Sequence, residues 1–260
     1  IGSGTGSLIE QIGIKEITGV ELSSTARKEL IKKGIDTYTT IDELTTKTSD
    51  LIFGNEILDN IPCSIGLYKD EGWYEKVVLL EENSLAYGLR PIRNEELDWI
   101  NKNNIVPNED YEFEIQVNID KFLNSVIKKI NPGKILLFDY GYEQKNRDKR
   151  MYSSLLRTYK NHHLSVDPID DPGNIDITYD VNFTSISSEL KYLGYDVTLK
   201  LQRDFLLDNG FNIFFDELQE KYISADGIEK LKINSELNGM KAIVDSNGLG
   251  GFYCLIAEKL

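Results

Sequence analysis

Ser49-Asp50-Leu51-Ile52-Phe53-Gly54-Asn55-Glu56-Ile57-Leu58-Asp59-Asn60-Ile61-Pro62 decides how the chain reads. The run up to Gly54 has the apolar character of a central strand, and it delivers an amide and two carboxylates where a buried strand meets solvent. The chain opens with Ile1-Gly2-Ser3-Gly4-Thr5-Gly6, a glycine loop ahead of a short helix over Leu8 to Ile12 that Gly13 stops. Together they put a nucleotide-like ligand at one end of a parallel sheet, with an acidic site beside it.

The neighbouring segments supply the rest of an α/β alternation. Ile17 to Glu21 reads as a short buried strand ending in an acid. Ser23 or Ser24 caps a helix through Lys33 that Gly34 closes, and Ile35 to Tyr38 is a weak edge strand. This alternation predicts a parallel, doubly wound sheet. From Ser64 the period shortens to Ile65–Tyr68, Trp73–Leu80 and Leu85–Leu89, a β meander inserted into the α/β unit at about 64–92. A helix over Ile119 to Ile130, ended by Asn131-Pro132-Gly133, precedes the strand Lys134 to Gly141, whose polar end Asp139 reaches the same edge as Asn55. Residues 143–181 read as a long polar loop, part of a second insertion at about 143–185. A helix over Ile186 to Leu193 follows. Strands at Tyr195–Leu201 and Gly251–Glu258 form a terminal antiparallel hairpin around a helical segment at about 205–245. The whole is expected to be one domain over 1–260. Only Ile1 stands where about five apolar strand residues should precede the glycine loop, so the N-terminus is expected to be missing and any targeting peptide with it.

With 260 residues, 40% hydrophobic and 28% charged, the chain can bury a substantial core, and no run of about 18 apolar residues suggests a membrane span. A formal charge of −14 with short, scattered Lys and Arg runs argues against nucleic acid and suits a cationic substrate. Of the two cysteines, Cys63 and Cys254, at least one reads as a buried apolar group, Cys254 lying in an apolar strand, and a reducing compartment is favoured; with the adjacent His162 and His163 they make no zinc pattern.

Gly2, Gly4 and Gly6 let the backbone turn tightly against a ligand, and Glu21 at the next strand end can bind both hydroxyls of a ribose. The spacing fits a dinucleotide or S-adenosylmethionine, and the terminal hairpin favours the methyl donor. Glu56 and Asp59 are three apart, so a helical turn from Asn55 would set both carboxylates on one side, able to hold a cation or act as a base. Helix capping explains the same pair. For Asp139 a capped strand end is the alternative, and for His162 a solvated loop position.

At this point the chain resembles the MidA-like family of class I S-adenosylmethionine-dependent methyltransferases. The resemblance rests on the glycine loop with Val20-Glu21, the Asn55–Pro62 signature, Gly72-Trp73-Tyr74-Glu75, Phe138-Asp139-Tyr140-Gly141-Tyr142, Leu156-Arg157 with His162, Pro172–Thr178 with Val181-Asn182-Phe183, and Gln202 with Phe205-Leu206. It implies a Rossmann-like class I methyltransferase sheet and a protein-arginine methyltransferase, with a complex I subunit as substrate in mitochondrial members. The cofactor residues become Gly2, Gly4, Gly6, Glu21, Leu22, Asn55 and Glu56; the catalytic residues Glu56 and Asp59; and the substrate contacts Asp139, Tyr140, Arg157 and His162, with no metal. Partners would be a protein with an exposed arginine and, as an open option, a second copy of the chain. The compartment would be the cytoplasm of a prokaryote or the mitochondrial matrix of a eukaryote. The family's first strand is absent, the Gly6–Glu21 interval is short, and Asp180 stands where the family tends to have histidine, a departure that bears on substrate more than cofactor. A small-molecule methyltransferase, an inactive cofactor-binding scaffold and a dehydrogenase are the competing readings.

Overall fold

The computed structural model describes residues 1–14, 16–45, 49–149, 155–160, 163–164 and 167–259. Its first strands, β1 (Thr18–Val20) and β2 (Asp36–Tyr38), pair in parallel, as the short β-branched runs and the intervening helix demand. Helix α1 (Ser7–Ile12) leads into β1, and α2 (Ser24–Lys32) joins β1 to β2, its N-cap Ser23 accepting from Ala26 N at 3.3 Å. The predicted glycine stop lies one residue past the C-cap Lys33, at Gly34 with φ 75°.

The main sheet takes the order β14 (Asp196–Leu201), β15 (Tyr253–Lys259), β8 (Ile130–Asp139), β3 (Ser49–Asn55). β3 and β8 run parallel, while β15 is antiparallel to both β8 and β14, so the predicted terminal hairpin is present. Ile1 and Gly2 lie between the two sheets: the Ile1 amino group donates to Phe53 O at 2.7 Å and Gly2 N to Val20 O at 2.8 Å. The glycine loop thus sits where β1 and β3 both end.

Two layers cover β8. Ile135 and Leu137, both fully buried, pack with Leu123 and Val126 of α4 (Val117–Ile127) and with Ile186 and Leu190 of α5 (Phe183–Tyr192). Phe138, on the opposite face, meets Phe205 edge-on at 5.3 Å, on α6 (Gln202–Asp208). Helices α7 (Phe211–Ser224) and α8 (Gly227–Val244) complete the expected helical stretch.

Asn131-Pro132-Gly133 proves not to be a turn between helix and strand. α4 ends at Ile127, and the triplet lies inside β8 at an irregularity of the β3 register. A Cβ at Gly133 would stand 2.2 Å from Asp50 O, so only glycine lets the strands approach there. Buried Lys129 fixes the crossing by donating to Asp42 O at 3.0 Å and Leu44 O at 2.6 Å.

The inserted β segment is larger than the meander. β4 (Ser64–Lys69), β5 (Gly72–Glu81) and β6 (Ser84–Pro91) are joined by β7 (Tyr111–Ile115) in the antiparallel order β6-β5-β4-β7. Helix α3 (Asn94–Lys102), unpredicted, packs Trp99 and Ile100 against Phe113 and Ile115 in a second core. The stretch 143–181 is not an irregular loop either. It holds β10 (Leu156–Lys160), β11 (His163–Leu164) and β12 (Asp176–Tyr179) in the order β11-β10-β12. β9 (Gly141–Tyr142) and β13 (Val181–Asn182) then pair in parallel. No helix among the described residues is long and apolar enough to cross a membrane.

Candidate active site

The glycine loop and the ends of β1, β3 and β8 converge on one edge. Gly6, with φ 82°, caps α1, and a Cβ there would stand 2.6 Å from Leu30 Cδ2, so both backbone and packing require glycine. Gly4, with φ 51°, has open space where a Cβ would be, and its N–H donates to Glu21 Oε2 at 2.8 Å. Ser23 N donates to the other oxygen, Oε1, also at 2.8 Å. Glu21 therefore ties the loop to the end of β1. Each of its oxygens has accepted one N–H and keeps lone-pair capacity for a hydroxyl. Leu22, beside it, is 75% exposed, and its carbonyl accepts from Arg27 at 2.6 Å.

At the end of β3, Asn55 and Glu56 are exposed, and Asn55 Nδ2 donates to Glu56 Oε1 at 3.2 Å. Glu56 adopts φ 48°, and the turn that follows is a single 3₁₀ turn over Leu58–Asn60. The helical turn that would have aligned Glu56 and Asp59 is absent, because the left-handed backbone at Glu56 interrupts it. Glu56 faces solvent and Asp59 is buried at 2% exposure. The two still sense each other, since Glu56's charge is among the influences that raise the Asp59 carboxyl.

Asp59 is held on both oxygens. Asn60 Nδ2 donates to Oδ1 at 2.7 Å, and the Tyr140 hydroxyl donates to Oδ2 through a short hydrogen bond. Neither contact caps a helix, which removes capping as the account of Asp59. Burial pushes its carboxyl above the ordinary carboxylate range, opposed by the hydrogen bonds from Tyr140 and Asn60.

Asp139, fully buried, accepts from Leu58 N at 2.8 Å, Asp59 N at 3.2 Å and Tyr140 N at 2.9 Å. Its carboxylate brackets the turn that carries Asp59. Burial and the charge of Asp59 raise its carboxyl well above the usual range. Tyr179 closes the same turn from β12, donating to Leu58 O at 3.1 Å and Ile61 O at 2.6 Å.

Tyr140 is sandwiched. The Arg157 guanidinium lies 4.6 Å over its ring, and Phe252 meets it edge-on at 5.4 Å. Arg157 itself is buried at 4% exposure and pairs with Asp180 Oδ1 at 2.9 Å. The 143–181 segment thus reaches Asp59 through Arg157 and Tyr140. Asn60 and Tyr179 escaped the sequence reading as site residues, although both lie inside or next to quoted motifs. Their roles depend on partners distant in sequence. His162 lies outside the described residues. Cys63 and Cys254 are free, and burial pushes both thiols up, Cys254 to about 12, so neither is a ready nucleophile.

A family profile described as "Putative S-adenosyl-L-methionine-dependent methyltransferase" matches residues 14–198. The chain belongs to this MidA-like methyltransferase family. Among named relatives it is 26% identical, over 195 residues, to the Caenorhabditis elegans protein arginine methyltransferase NDUFAF7 homolog, mitochondrial. That match covers 71% of the chain, and the chain spans 43% of the length of that relative. Two solved structures from Burkholderia thailandensis share the fold, each with TM-score 0.82 and 22% identity over 100% of the chain. One covers 72% of its own length; the other covers 70% and is bound to S-adenosyl-homocysteine. The fold is accordingly the class I, Rossmann-like methyltransferase fold, and the cofactor is S-adenosylmethionine. The site of this methyltransferase fits that cofactor: a glycine loop open at Gly4, a carboxylate with spare acceptor capacity at Glu21, and exposed Asn55 and Glu56 facing the same edge.

Proposed function

We propose that the protein transfers a methyl group from S-adenosylmethionine to an arginine side chain of a partner protein, with Asp59 as the base and Glu56 as the outer arm of an acidic grip. The bound cofactor would supply an electrophilic methyl on a sulfonium, and Gly2, Gly4, Gly6, Glu21, Leu22, Asn55 and Glu56 would hold it. The chain's own residues would do the rest. Exposed Glu56 meets an incoming guanidinium first. Asp59 receives it behind, once the cation's N–H replaces the one that Asn60 donates to Oδ1. A guanidinium is a weak nucleophile because its lone pair is delocalised, so a carboxylate that localises its charge and takes its proton lowers the barrier. Tyr140 fixes the Asp59 rotamer, and Asp139 and Tyr179 fix the turn beneath it.

The observation that carries this reading is the carboxylate of Asp59, buried yet held by two exchangeable donors beside the glycine loop. The C. elegans relative's name as an arginine methyltransferase supports the same acceptor. Where the host builds respiratory complex I, a subunit of that complex is the proposed substrate, as the family resemblance implies. The reading takes the chain as a single methyltransferase unit, with the antiparallel sheet and the 143–185 segment as its insertions. Incubation with methyl-deuterated S-adenosylmethionine and host extract, followed by mass spectrometry, should put the label on arginine. Label on other residues or on small molecules would overturn the acceptor.

A further inference from the structure

The hairpin of β5 and β6 carries a feature that methyl transfer leaves unused. Its outer half is apolar on both faces: Val78 is 52% exposed, Leu80 75% and Leu89 47% on one, and Leu79 is 44% exposed on the other. β6 ends its sheet, so among the described residues nothing pairs with its outer edge. From Ser84 to Leu89 that edge has no charge, proline or bulge, the usual devices that keep an edge strand from pairing. Pairing of β4 with β5 stops at Lys76, so the outer half of the hairpin is a two-stranded ribbon, which is marginal in water.

The edge is complementary to itself. Ile92 N donates to Trp73 O at 3.3 Å, which sets the alternation of the ladder, so Leu85, Tyr87 and Leu89 point their N–H and C=O groups outward. Inverted about Tyr87, Leu85-Ala86-Tyr87-Gly88-Leu89 sets Leu85 opposite Leu89 of a second copy, Ala86 opposite Gly88, and Tyr87 opposite itself. All three outward residues then form hydrogen-bonded pairs. The same register brings the hairpin tip, Glu81-Glu82, alongside Arg90 and Arg93 of the second copy, which pair with Glu75 and Glu96 of their own chain and keep side chains 47% and 53% exposed. In a chain of net charge −14, this strand carries no charged side chain of its own, and the carboxylate that lies against it, Asp167, is engaged by the Tyr87 hydroxyl. The acids at the tip speak against a lipid surface as the occupant.

We propose that β6 is a homodimer edge, where two copies pair antiparallel about Tyr87 and join their four-stranded sheets into one. Sedimentation velocity on the full-length protein should find a dimer. Leu89→Glu, which faces a carboxylate against Leu85 of the second copy, should weaken it at least about tenfold. Adding Leu85→Lys to Leu89→Glu should restore it, because the new lysine of each copy then faces the new glutamate of the other. Thermal melts of each variant check that the hairpin still folds. A monomeric wild type, a dimer undisturbed by Leu89→Glu, or a double variant that stays monomeric would each overturn the pairing, as would a different protein seated on the edge of a monomeric chain.

Discussion

Tyr140→Phe removes a hydroxyl that favours the charged form of Asp59 against its burial. Phenylalanine keeps the ring under Arg157 and against Phe252 and removes only the hydroxyl that donates to Asp59 Oδ2. A hydrogen bond to a charged group contributes about 1.5–3 kcal/mol. Asn60 still serves Oδ1, so the lower end applies, about 1.5 kcal/mol. Removing a donor disfavours the carboxylate, which burial already pushes up, so the group must titrate higher still. At about 1.4 kcal/mol per pH unit, the acidic limb of kcat/KM should move up by roughly one unit. Single-turnover rates against pH, with saturating labelled cofactor, read that limb directly. An unmoved limb, or one moved down, would mean that Asp59 is not the titrating base or that Tyr140 does not hold it.

Three further outcomes follow from the same geometry. Asp59→Asn should stabilise the protein near neutral pH: a carboxyl raised on folding binds its proton more tightly in the native state, so the wild type loses stability as pH climbs from about 3.9 through the raised value. Thermal melts should show that gain at pH 7 and lose it in acid, and a lower melting temperature for the variant at pH 7 would refute it. Asp139→Ala leaves three backbone N–H groups without their acceptor and should cost about 3 kcal/mol or more in urea unfolding, so a near-neutral result would deny the bracket. Glu21→Ala should weaken cofactor binding by about 1–3 kcal/mol in calorimetry, and unchanged affinity would remove Glu21 from the site.

The parts of the fold that announced themselves were those with local signals. β3, β8 and the terminal hairpin are short apolar runs with clear ends, and the glycine loop with Glu21 carries its geometry in its residue types. Asn131-Pro132-Gly133 misled because its residues favour a turn, while a tertiary approach to Asp50 sets them inside a strand. Trp99 and Ile100 did signal α3, with Glu95 and Glu96 in its first turn, but no neighbouring motif drew attention to them. Leu156–Tyr159 and Ile177–Tyr179 are strand-like runs hidden by the Asp- and Pro-rich sequence between them. At the site, the residue types were legible and their division of labour was not. Whether Asp59 or Asp139 is the bracket depends on which backbone amides come within reach, and Leu58 N lies 81 positions from the carboxylate it meets.

The central claim is that Asp59 serves the methyl acceptor and not the cofactor. One pair of measurements on Asp59→Asn tests it: calorimetry with S-adenosylmethionine, and single-turnover transfer of a deuterated methyl group to the arginine-bearing substrate. The account predicts nearly unchanged cofactor affinity with transfer slowed by roughly 10²-fold or more, the scale of a lost general base. Transfer at the wild-type rate, or a loss explained wholly by weakened cofactor binding, would contradict it.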